Sequence, residues 1–510
     1  MSTAAANPGV SGHGSERGGE EVRRSLVPVR MDRLPWARFH WRVVFGLGTA
    51  WILDGLEIQL AALNGFNNSF HFSSFLTSSF AFWYLGGEIV GALVFGRITD
   101  RFGRKKMFVI TLLIYLVGSG LAGFSWDYWS LAAFRVIAGI GIGGEYTAIN
   151  AAIDELIPSH YRGRVDIAVN GTYWGGALFG DLLGIVLIEN TWLLPENWGW
   201  RVSFLLGPVM GLFVIFIRRN LPESPRWLMT HGRDEEAETI VDGIEEEVEQ
   251  QGRVQLDPVD QNRALPVVPT PRIGYLELLK VFITQLPKRT VLGATMMITQ
   301  AFLYNAIFFT YELVLTKFYG VGNAAYYFIP FAAGNLLGPL LIGHLFDVWG
   351  RRRMILLTYG LSGVLLIVSA VLFELDALNA VTNTILWCVI FFFASAGASS
   401  AYLTVSEIFP IEVRGLAIAI FFAIGQGAGA IAPPIYGALI GEGTSRTPLM
   451  IGYILGGAIM IAGGLVAWFI GIDAERKALE DVATPLSVLR ARAAGAEVPT
   501  VSQDAPAPAT

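Results

Sequence analysis

Two short loops of this chain carry the same charged pattern. The first reads Gly96-Arg-Ile-Thr-Asp100-Arg-Phe-Gly103-Arg104, and the second reads Gly343-His-Leu-Phe-Asp347-Val-Trp-Gly350-Arg351. Both fit G-x3-D-x2-G-R, at an offset of 247 residues. A second pair, Glu155-Leu-Ile-Pro158-Ser-His-Tyr-Arg162-Gly163 and Glu407-Ile-Phe-Pro410-Ile-Glu-Val-Arg414-Gly415, fits E-x2-P-x3-R-G at an offset of 252 residues. Two motifs that recur in one order at nearly one offset predict that the chain is built from two parallel repeats.

The sequence around these loops is too apolar for a soluble protein of its size. Apolar residues make up 53% of its 510 residues and charged residues only 15%, whereas an average soluble protein carries roughly 25% charge. This excludes disordered, nucleic-acid-binding and most soluble enzyme classes, and it indicates a chain whose solvent is lipid. Apolar runs long enough to cross a bilayer occur near 43–63, 76–96, 107–125, 129–151, 165–187, 202–219, 291–315, 324–343, 354–373, 381–405, 416–440 and 448–470.

The longest polar interruption divides these runs six and six. It contains an acidic stretch, 233–251, that we predict to be helical, followed by a proline-rich connector. The predicted fold is an all-α membrane protein with twelve transmembrane helices in two pseudo-symmetric bundles. The predicted domains are a disordered cytoplasmic tail (1–42), a six-helix bundle (43–219), a central cytoplasmic loop (220–288), a second six-helix bundle (289–470) and a disordered cytoplasmic tail (471–510).

The distribution of basic residues predicts the orientation of the chain. If both termini are cytoplasmic, 32 of the 36 lysines and arginines lie in cytoplasmic loops, tails or span ends, as the positive-inside rule requires. The N-terminal region has no short apolar core before a small-residue cleavage site, so we expect the first span to act as an uncleaved insertion signal. These features predict a multi-pass protein of the plasma or bacterial inner membrane. Cys388 is the single cysteine, which excludes an intrachain disulfide.

On these motifs the chain resembles the major facilitator superfamily, and within it the sugar-porter and metabolite:proton symporter branch. The resemblance covers roughly residues 40–470 and is also carried by Pro222-Glu-Ser-Pro-Arg-Trp-Leu228, followed by Gly232-Arg-Asp-Glu-Glu-Ala-Glu238. It implies alternating access between two six-helix halves, with a small solute and protons as partners. It implies no cofactor, and a protein that works as a monomer in the bilayer.

The charged residues of the repeated loops are predicted to form a cytoplasmic gate. As topogenic charges they would form surface ion pairs worth only about 0–1 kcal/mol each. The resemblance instead implies a network between the halves that closes the cytoplasmic side and breaks when that side opens. The predicted gate residues are Asp100, Arg101, Arg104, Glu155, Arg162, Glu223, Arg226, Asp347, Arg351, Glu407 and Arg414.

Ionisable residues inside the spans are costly in lipid and usually functional. At about 1.5 Å per residue, Glu57 and Arg135 fall at the same depth of a core about 30 Å thick, and the resemblance implies that an acid and an arginine at these positions couple transport to protons. The alternative is a static ion pair. Asp181 ranks lower, and Asp166 is interpreted as an exposed helix end. The predicted proton-coupling residues are Asp54, Glu57, Glu88, Arg135 and Glu145.

Glu145 follows a glycine run, 139–144, that resembles the span-four motif of proton-coupled phosphate transporters. Those transporters also have an aspartate in span seven, where this chain has Asn305, and this departure argues against phosphate. The same run matches G-x-G-x-x-G, but a nucleotide loop needs a preceding strand, and here the glycines lie inside an apolar helix. Close helix packing explains them better.

Amide and aromatic side chains near mid-span are the predicted solute contacts. Gln300 and Asn305 resemble the span-seven pattern of sugar porters, and Asn170 lies at a position where those proteins have a glutamine. The alternative is that these amides only bond neighbouring helices. The two span-ten tryptophans of sugar porters are replaced by Gly397 and Tyr402, which disfavours a hexose. The predicted solute-binding residues are Tyr146, Asn170, Trp174, Gln300, Asn305 and Gln426.

The sequence therefore predicts a secondary active transporter that carries a small polar organic solute by alternating access, with proton symport as the expected mode. Three alternatives stay open: a facilitated-diffusion uniporter, a proton antiporter of an organic cation or drug, and a transporter-like sensor that binds solute without moving it. No nucleophile–base pair indicates an enzyme, and no pair of the six histidines has the spacing of metal ligands. No nucleic-acid partner, cofactor or metal is predicted.

Overall fold

The computed structural model describes residues 23–486, except for 64–65, 71–73, 190–192, 219–220, 253–254, 262–263, 268–273, 323, 411–412, 442, 478 and 484–485. Within these residues, twelve helices are long and apolar enough to cross a membrane. We number them α1 (Arg38–Ala62), α2 (Ser74–Phe102), α3 (Arg104–Ala122), α4 (Tyr128–Leu156), α5 (Ser159–Gly184), α6 (Glu196–Arg218), α7 (Pro287–Phe308), α8 (Ala325–Ile342), α9 (Arg351–Glu374), α10 (Ala380–Ile408), α11 (Arg414–Ile440) and α12 (Thr447–Ile470).

Shorter elements surround the bundle. The two strands β1 (Arg23–Ser25) and β2 (Leu265–Val267) pair antiparallel. The acidic stretch of the central loop forms the helix Asp234–Gly252, as predicted. The other short helices are Val27–Asp32, Asn67–Phe70, Pro225–Thr230, Tyr275–Thr284, Tyr311–Tyr319, Leu345–Val348 and Leu479–Val482, and a π-helical turn, Ile185–Glu189, extends α5.

Each half repeats one packing scheme. In the first half α1 packs along α5, α2 along α4, and α3 along α4 and α6; in the second half α7 packs along α11, α8 along α10, and α9 along α10 and α12. Between the halves, α2 packs on α11 and α5 packs on α8. These two contacts are equivalent, because the pseudo-symmetry relates α2 to α8 and α11 to α5. The predicted fold of two pseudo-symmetric six-helix bundles is confirmed.

The repeat extends to the helix caps. Asp127 accepts a hydrogen bond from the Ser130 amide at 2.8 Å and starts α4, and Asn379 accepts one from the Thr382 amide at 2.9 Å and starts α10. Such N-caps satisfy amide groups that have no partner inside the helix. Both helices run for 29 residues and carry one glutamate of the repeated loop motif near the same end of the bundle.

Glycine is required at two equivalent loop positions. Gly103 and Gly350 have φ values of 94° and 97°, a region that residues with a side chain rarely adopt. These two turns separate α2 from α3 and the short helix Leu345–Val348 from α9. They place Arg104 and Arg351 as the first residues of α3 and α9.

The structure differs from several predicted boundaries. The described part of the predicted disordered tail 471–510 contains the helix Leu479–Val482, because Leu479 and Val482 are buried. Span seven was predicted to be continuous over 291–315, but α7 ends at Phe308 and a second helix, Tyr311–Tyr319, follows. Hydropathy does not detect this break because the residues on both sides of it are apolar. Residues 23–42, predicted as part of a disordered tail, form β1, the helix Val27–Asp32 and the start of α1, because Val27, Met31 and Leu34 are buried. Residues 1–22 and 487–510 lie outside the described part of the chain.

Candidate functional site

A central cavity lies between the two halves, where α1, α2, α4 and α5 face α7, α10 and α11. Within it, the space that the centre of a water-sized sphere can reach is about 140 Å³. Among the described residues that line it, Glu88 is the one charged side chain. The aromatic part of its wall consists of Trp51, Tyr84, Tyr146, Tyr173, Trp174, Tyr304, Phe308, Phe309 and Tyr402.

The residues predicted to bind solute all line this cavity: Tyr146, Asn170, Trp174, Gln300, Asn305 and Gln426. Asn170 and Asn305 each donate from Nδ2 to a carbonyl oxygen one turn earlier in their own helix, both at 2.8 Å. The structure therefore brings together amides from α5, α7 and α11 that are far apart in the sequence. Their role in binding stays a prediction.

Flat aromatic faces border the cavity on both halves. Trp51 stacks on Tyr146 with ring centroids 4.2 Å apart and an angle of 14° between the rings. Trp174 packs edge-on to Phe308 at 5.7 Å. The sequence analysis did not single out Trp51 or Tyr84. Trp51 precedes Asp54 by three residues and so shares its helix face, which is the signal that could have identified it.

The acids of α1 lie behind the cavity wall in a buried polar group. The carboxylate of Glu57 contacts the guanidinium of Arg135, as their predicted common depth requires. Asp54 accepts hydrogen bonds from the hydroxyls of Tyr84, at 2.7 Å, and of Tyr146. The Arg135 guanidinium also lies over the Tyr84 ring, 4.1 Å from its centroid. All three ionisable side chains are at most 2% exposed.

Glu88 joins the two halves at the cavity surface. Its carboxylate accepts a hydrogen bond from the Gln426 amide, so an acid of α2 meets a predicted solute ligand of α11. Glu145 has a different partner: its carboxylate contacts Arg218 at the end of α6, and Arg218 also donates to the Gly46 carbonyl at 2.7 Å. Arg218 lies at the end of the predicted span 202–219, and its side chain is buried.

Two further aspartates of α5 are buried. Asp166, interpreted from the sequence as an exposed helix end, is 0% exposed, so that interpretation is wrong. The apolar run of span five begins at residue 165, but α5 begins at Ser159, and the first two turns of α5 are covered by the other half. Asp181 is also 0% exposed and lies beside Gln59.

The predicted gate residues form two equivalent networks. In the first, Arg104 binds Glu155 at 2.8 Å and Asp100 at 3.2 Å. In the second, Arg351 binds Glu407 at 3.1 Å and Asp347 at 2.8 Å. Arg101 does not join either network, because its exposed guanidinium lies over the Phe102 ring, 5.0 Å from the centroid.

Each network also holds the opposite half. Asp100 of α2 accepts a hydrogen bond from the Leu416 amide at the start of α11, at 3.1 Å. Asp347 accepts one from the Arg164 amide near the start of α5, at 2.7 Å. Arg162 of α5 adds a contact to Glu407 of α10 at 3.9 Å. The two halves are therefore closed against each other at the end that carries the loop motifs.

The remaining gate residues lie around these networks. Glu223 accepts a hydrogen bond from the Arg104 amide at 2.9 Å, and Glu475 accepts one from the Arg351 amide at 3.5 Å. Arg414 donates to the Phe409 carbonyl at 3.4 Å. The sequence analysis missed Glu475, although its offset of 252 residues from Glu223 equals that of the second loop motif.

An acid of the N-terminal helix also enters the gate, and the sequence analysis missed it. Asp32 binds Arg226 at 3.0 Å, lies 3.8 Å from Arg162 and accepts a hydrogen bond from the Ser159 amide at the start of α5. No sequence signal could have identified this residue, because the segment that carries it was predicted to be disordered.

A model of the Sugar (and other) transporter family matches residues 39–484. The protein belongs to this family of the major facilitator superfamily. A niacin transporter, NiaP of Acinetobacter baylyi, is 25% identical to this protein; the match covers 89% of this chain and 98% of NiaP. The putative metabolite transport protein YdjK of Escherichia coli is 30% identical over 91% and 98% of the two chains.

Solved structures show the same fold. The proton:xylose symporter XylE, bound to 6-bromo-6-deoxy-D-glucose, superposes with a TM-score of 0.72 at 20% identity, over 87% of this chain and 98% of that chain. This member of the sugar transporter family is therefore a multi-pass membrane transporter of the major facilitator fold and not an enzyme.

Proposed function

We propose that this transporter moves a small, ring-containing organic metabolite together with a proton by alternating access. The observation that carries the proposal is the double role of Tyr84 and Tyr146. Both side chains line the cavity, and both hydroxyls hold the buried carboxylate of Asp54. A solute that displaces either ring therefore acts directly on the acid behind it.

In this proposal Asp54 and Glu57 bind the proton, and the distance of Arg135 from them determines whether they are charged or protonated. An arginine within contact distance favours the charged form of a carboxylate, and separation from it or loss of water favours the neutral acid. Glu57 contacts Arg135 in the present arrangement. A rearrangement of α1 against α4 would separate them and let the acid load or release a proton. Glu88, on the cavity surface, is a further proton-coupling candidate.

The cavity wall favours a flat solute with hydrogen-bonding groups. Nine aromatic side chains offer ring faces, which form stacked or edge-on contacts. The amides of Asn170, Gln300 and Asn305 would bind the polar groups. Because no basic side chain lines the cavity among the described residues, a multivalent anion is disfavoured, whereas a neutral ring compound, or a monocarboxylate that enters with a proton, fits. The relative named as a niacin transporter supports this class, because niacin is a flat ring that carries one carboxylate.

The gate residues and helix bundles complete the mechanism that we propose. The halves 43–219 and 289–470 would move as units, and the networks of Arg104 and Arg351 would break when the cytoplasmic side opens. Both termini and the central loop 220–288 would be cytoplasmic, and the protein would act as a monomer in the cell membrane. A reporter that fluoresces only in the cytoplasm, fused after Thr510, tests the orientation; a dark fusion in membranes that contain the full-length protein would contradict it.

Identification of the solute comes first in testing this proposal. A thermal-shift screen of the purified protein against niacin, nicotinamide, cis,cis-muconate, xylose and a quaternary ammonium compound covers the classes above. A hit with niacin or nicotinamide, whose rings are flat, is expected, and binding to xylose or cis,cis-muconate alone would contradict the proposal of a flat ring solute.

Glu57→Gln then tests the coupling. In proteoliposomes with an imposed pH gradient, we expect the variant to lose accumulation of the solute while exchange of labelled for unlabelled solute continues, because exchange needs no net proton movement. Glu246→Gln, which changes an exposed acid of the central loop, is the matched control and should accumulate solute normally. Unchanged accumulation in Glu57→Gln would contradict the assignment.

One observation favours a second mode, antiport of an organic cation. Glu88 is the one charged side chain lining the cavity among the described residues, and it lies among aromatic rings, a combination that suits cations. Binding of the quaternary ammonium compound, with accumulation driven by an outward proton gradient, would support this alternative. Binding of any solute without flux would instead indicate a sensor.

A further inference from the structure

The structure assigns a second proton-binding site to this transporter, at Asp166 of α5 inside the closed cytoplasmic gate. We propose that Asp166 holds a proton while the two halves are closed and releases it to the cytoplasm when they separate. This inference rests on the proposed proton coupling, but its site is distinct from the group formed by Asp54, Glu57 and Arg135.

The first evidence is a buried carboxyl group with one polar side chain beside it. Asp166 is 0% exposed, and neither of its carboxylate oxygens has a described partner at ordinary hydrogen-bond geometry; the neighbouring polar side chain is the Asn170 amide. The polar neighbour on its own helix is occupied, since the Asn170 amide donates to the Asp166 main-chain carbonyl and to Asn150. A buried charge without such partners is costly, and the group then tends to become neutral by taking a proton.

The second evidence is the charge of the surrounding cluster. Three ionisable groups act on Asp166 directly, namely Asp154 of α4, Arg351 of α9 and Glu407 of α10. These in turn interact with the other members of the cluster, which are Arg162 of α5, Arg414 of α11 and Asp347. If all were ionised, four carboxylates including Asp166 would face three guanidinium groups. Adding Asp32 and Arg226, which bind each other at 3.0 Å, leaves this excess of one negative charge unchanged. One bound proton makes the enclosed cluster neutral.

The contacts of the cluster indicate which carboxyl carries the proton. Asp347 and Glu407 bind Arg351 at 2.8 and 3.1 Å. Asp154 lies 4.0 Å from Arg162. Among the described residues, no arginine or lysine nitrogen lies within 4 Å of the Asp166 carboxylate. Asp166 is therefore the carboxyl group of the cluster whose ionised form is least stabilised by a neighbouring cation.

The position of Asp166 connects the cavity to the cytoplasmic end. Asn170, one turn away on α5, lines the cavity. Arg351 and Glu407, which act on Asp166 from the other half, would leave it when the gate opens and water enters. The repeat provides no equivalent acid, because Ile418 occupies the corresponding position of α11 and Ser406 that of Asp154. The site therefore belongs to the first half only, as does the group formed by Asp54, Glu57 and Arg135.

A bound metal ion is the competing occupant of such a cluster. Among the described residues, no group of three or more histidine, cysteine, aspartate or glutamate side chains has the geometry to hold a metal.

Infrared spectroscopy tests the site without a solute or a gradient. The full-length protein in lipid nanodiscs is measured at pH 7, where a protonated carboxyl group gives a carbonyl band that an ionised carboxylate lacks. We expect Asp166→Asn to lose one such band and Asp166→Glu to shift it. Asp181→Asn, which alters an equally buried aspartate of the same helix, must retain the Asp166 band. An unchanged set of bands in Asp166→Asn would overturn the proposal, and Asp166→Glu keeps the test valid if the asparagine variant does not fold.

A second infrared experiment tests whether opening of the gate releases the proton from Asp166. Asp100→Asn removes a bond between the halves without altering the cluster around Asp166, and we expect the Asp166 band to weaken at pH 7 in this variant. A band that stays at full strength while the cytoplasmic side is open would refute release on opening. Loss of the band on addition of sodium would reassign the site to a metal cation. Failure of Glu57→Gln to uncouple transport would leave the infrared result intact, so the two proposals fail separately.

Discussion

Glu145 and Arg218 are both buried and contact each other between α4 and α6. Removal of one member of a buried ion pair typically costs about 3–5 kcal/mol, whereas replacement of both is often neutral. We therefore expect Arg218→Met to lower the thermal unfolding temperature in detergent strongly, and Glu145→Gln combined with Arg218→Met to restore most of it. The double variant should keep pH-driven accumulation, because the partner of Glu145 is Arg218 and not a member of the group formed by Asp54, Glu57 and Arg135. Loss of accumulation in a stable double variant would assign Glu145 to proton coupling after all.

The sequence predicts those side chains whose position follows from depth or from repetition. Glu57 and Arg135 meet because their distances along two antiparallel helices match, and the Arg104 and Arg351 networks form because the loops recur. Partners supplied by tertiary packing could not be predicted. Arg218 lies at the edge of a span, where a boundary error of a few residues decides between loop and interior. Asp166 looked exposed for the same reason.

The N-terminal helix Val27–Asp32 is held on the acidic helix Asp234–Gly252 by charge. Arg30 binds Glu245 at 2.6 Å, and Arg33 binds it at 2.7 Å. Burial alone would raise the pKa of Glu245, but the hydrogen bonds from these arginines outweigh burial and lower the pKa below its usual value of 4.5. A carboxylate with a lowered pKa stabilises the folded contact above its unfolded pKa, and this stabilisation is lost as the pH falls through the folded value.

This linkage predicts how the N-terminal helix responds to pH. Hydrogen exchange of amides 27–32, corrected for the intrinsic effect of pH, should stay slow from pH 7 to about pH 5 and rise in more acidic solution. Glu245→Gln should exchange faster at neutral pH and depend less on pH, because Arg30 keeps its pairs with Glu238 and Asp242. Glu236→Gln, whose exposed carboxylate pairs with Arg233 of the same segment, is the control. Equal exchange in all three proteins would show that Glu245 does not hold the helix.

Across the whole molecule, the pseudo-symmetry places two equivalent bonds between the halves at the gate. Asp100 holds the start of α11 at 3.1 Å, and Asp347 holds the start of α5 at 2.7 Å. A hydrogen bond to a charged group contributes about 1.5–3 kcal/mol. Loss of either bond should therefore favour the state in which this end is open by about tenfold or more, since 1.4 kcal/mol corresponds to a factor of ten. The two bonds lie on different helix pairs, so their effects should add.

Asp100→Asn, Asp347→Asn and the double variant test this symmetry. Spin labels at the exposed positions Lys105 and Arg353 report the separation of the halves by pulsed electron resonance. We expect each single variant to increase the open fraction and the double variant to multiply the two effects, while uptake falls although the protein still reaches the membrane. Lys280→Ala, which removes an exposed charge of the central loop, should leave the distances unchanged. If Asp347→Asn had no effect while Asp100→Asn opened the gate, one half alone would control closure, and the repeated loop of the second half would serve insertion of the chain instead.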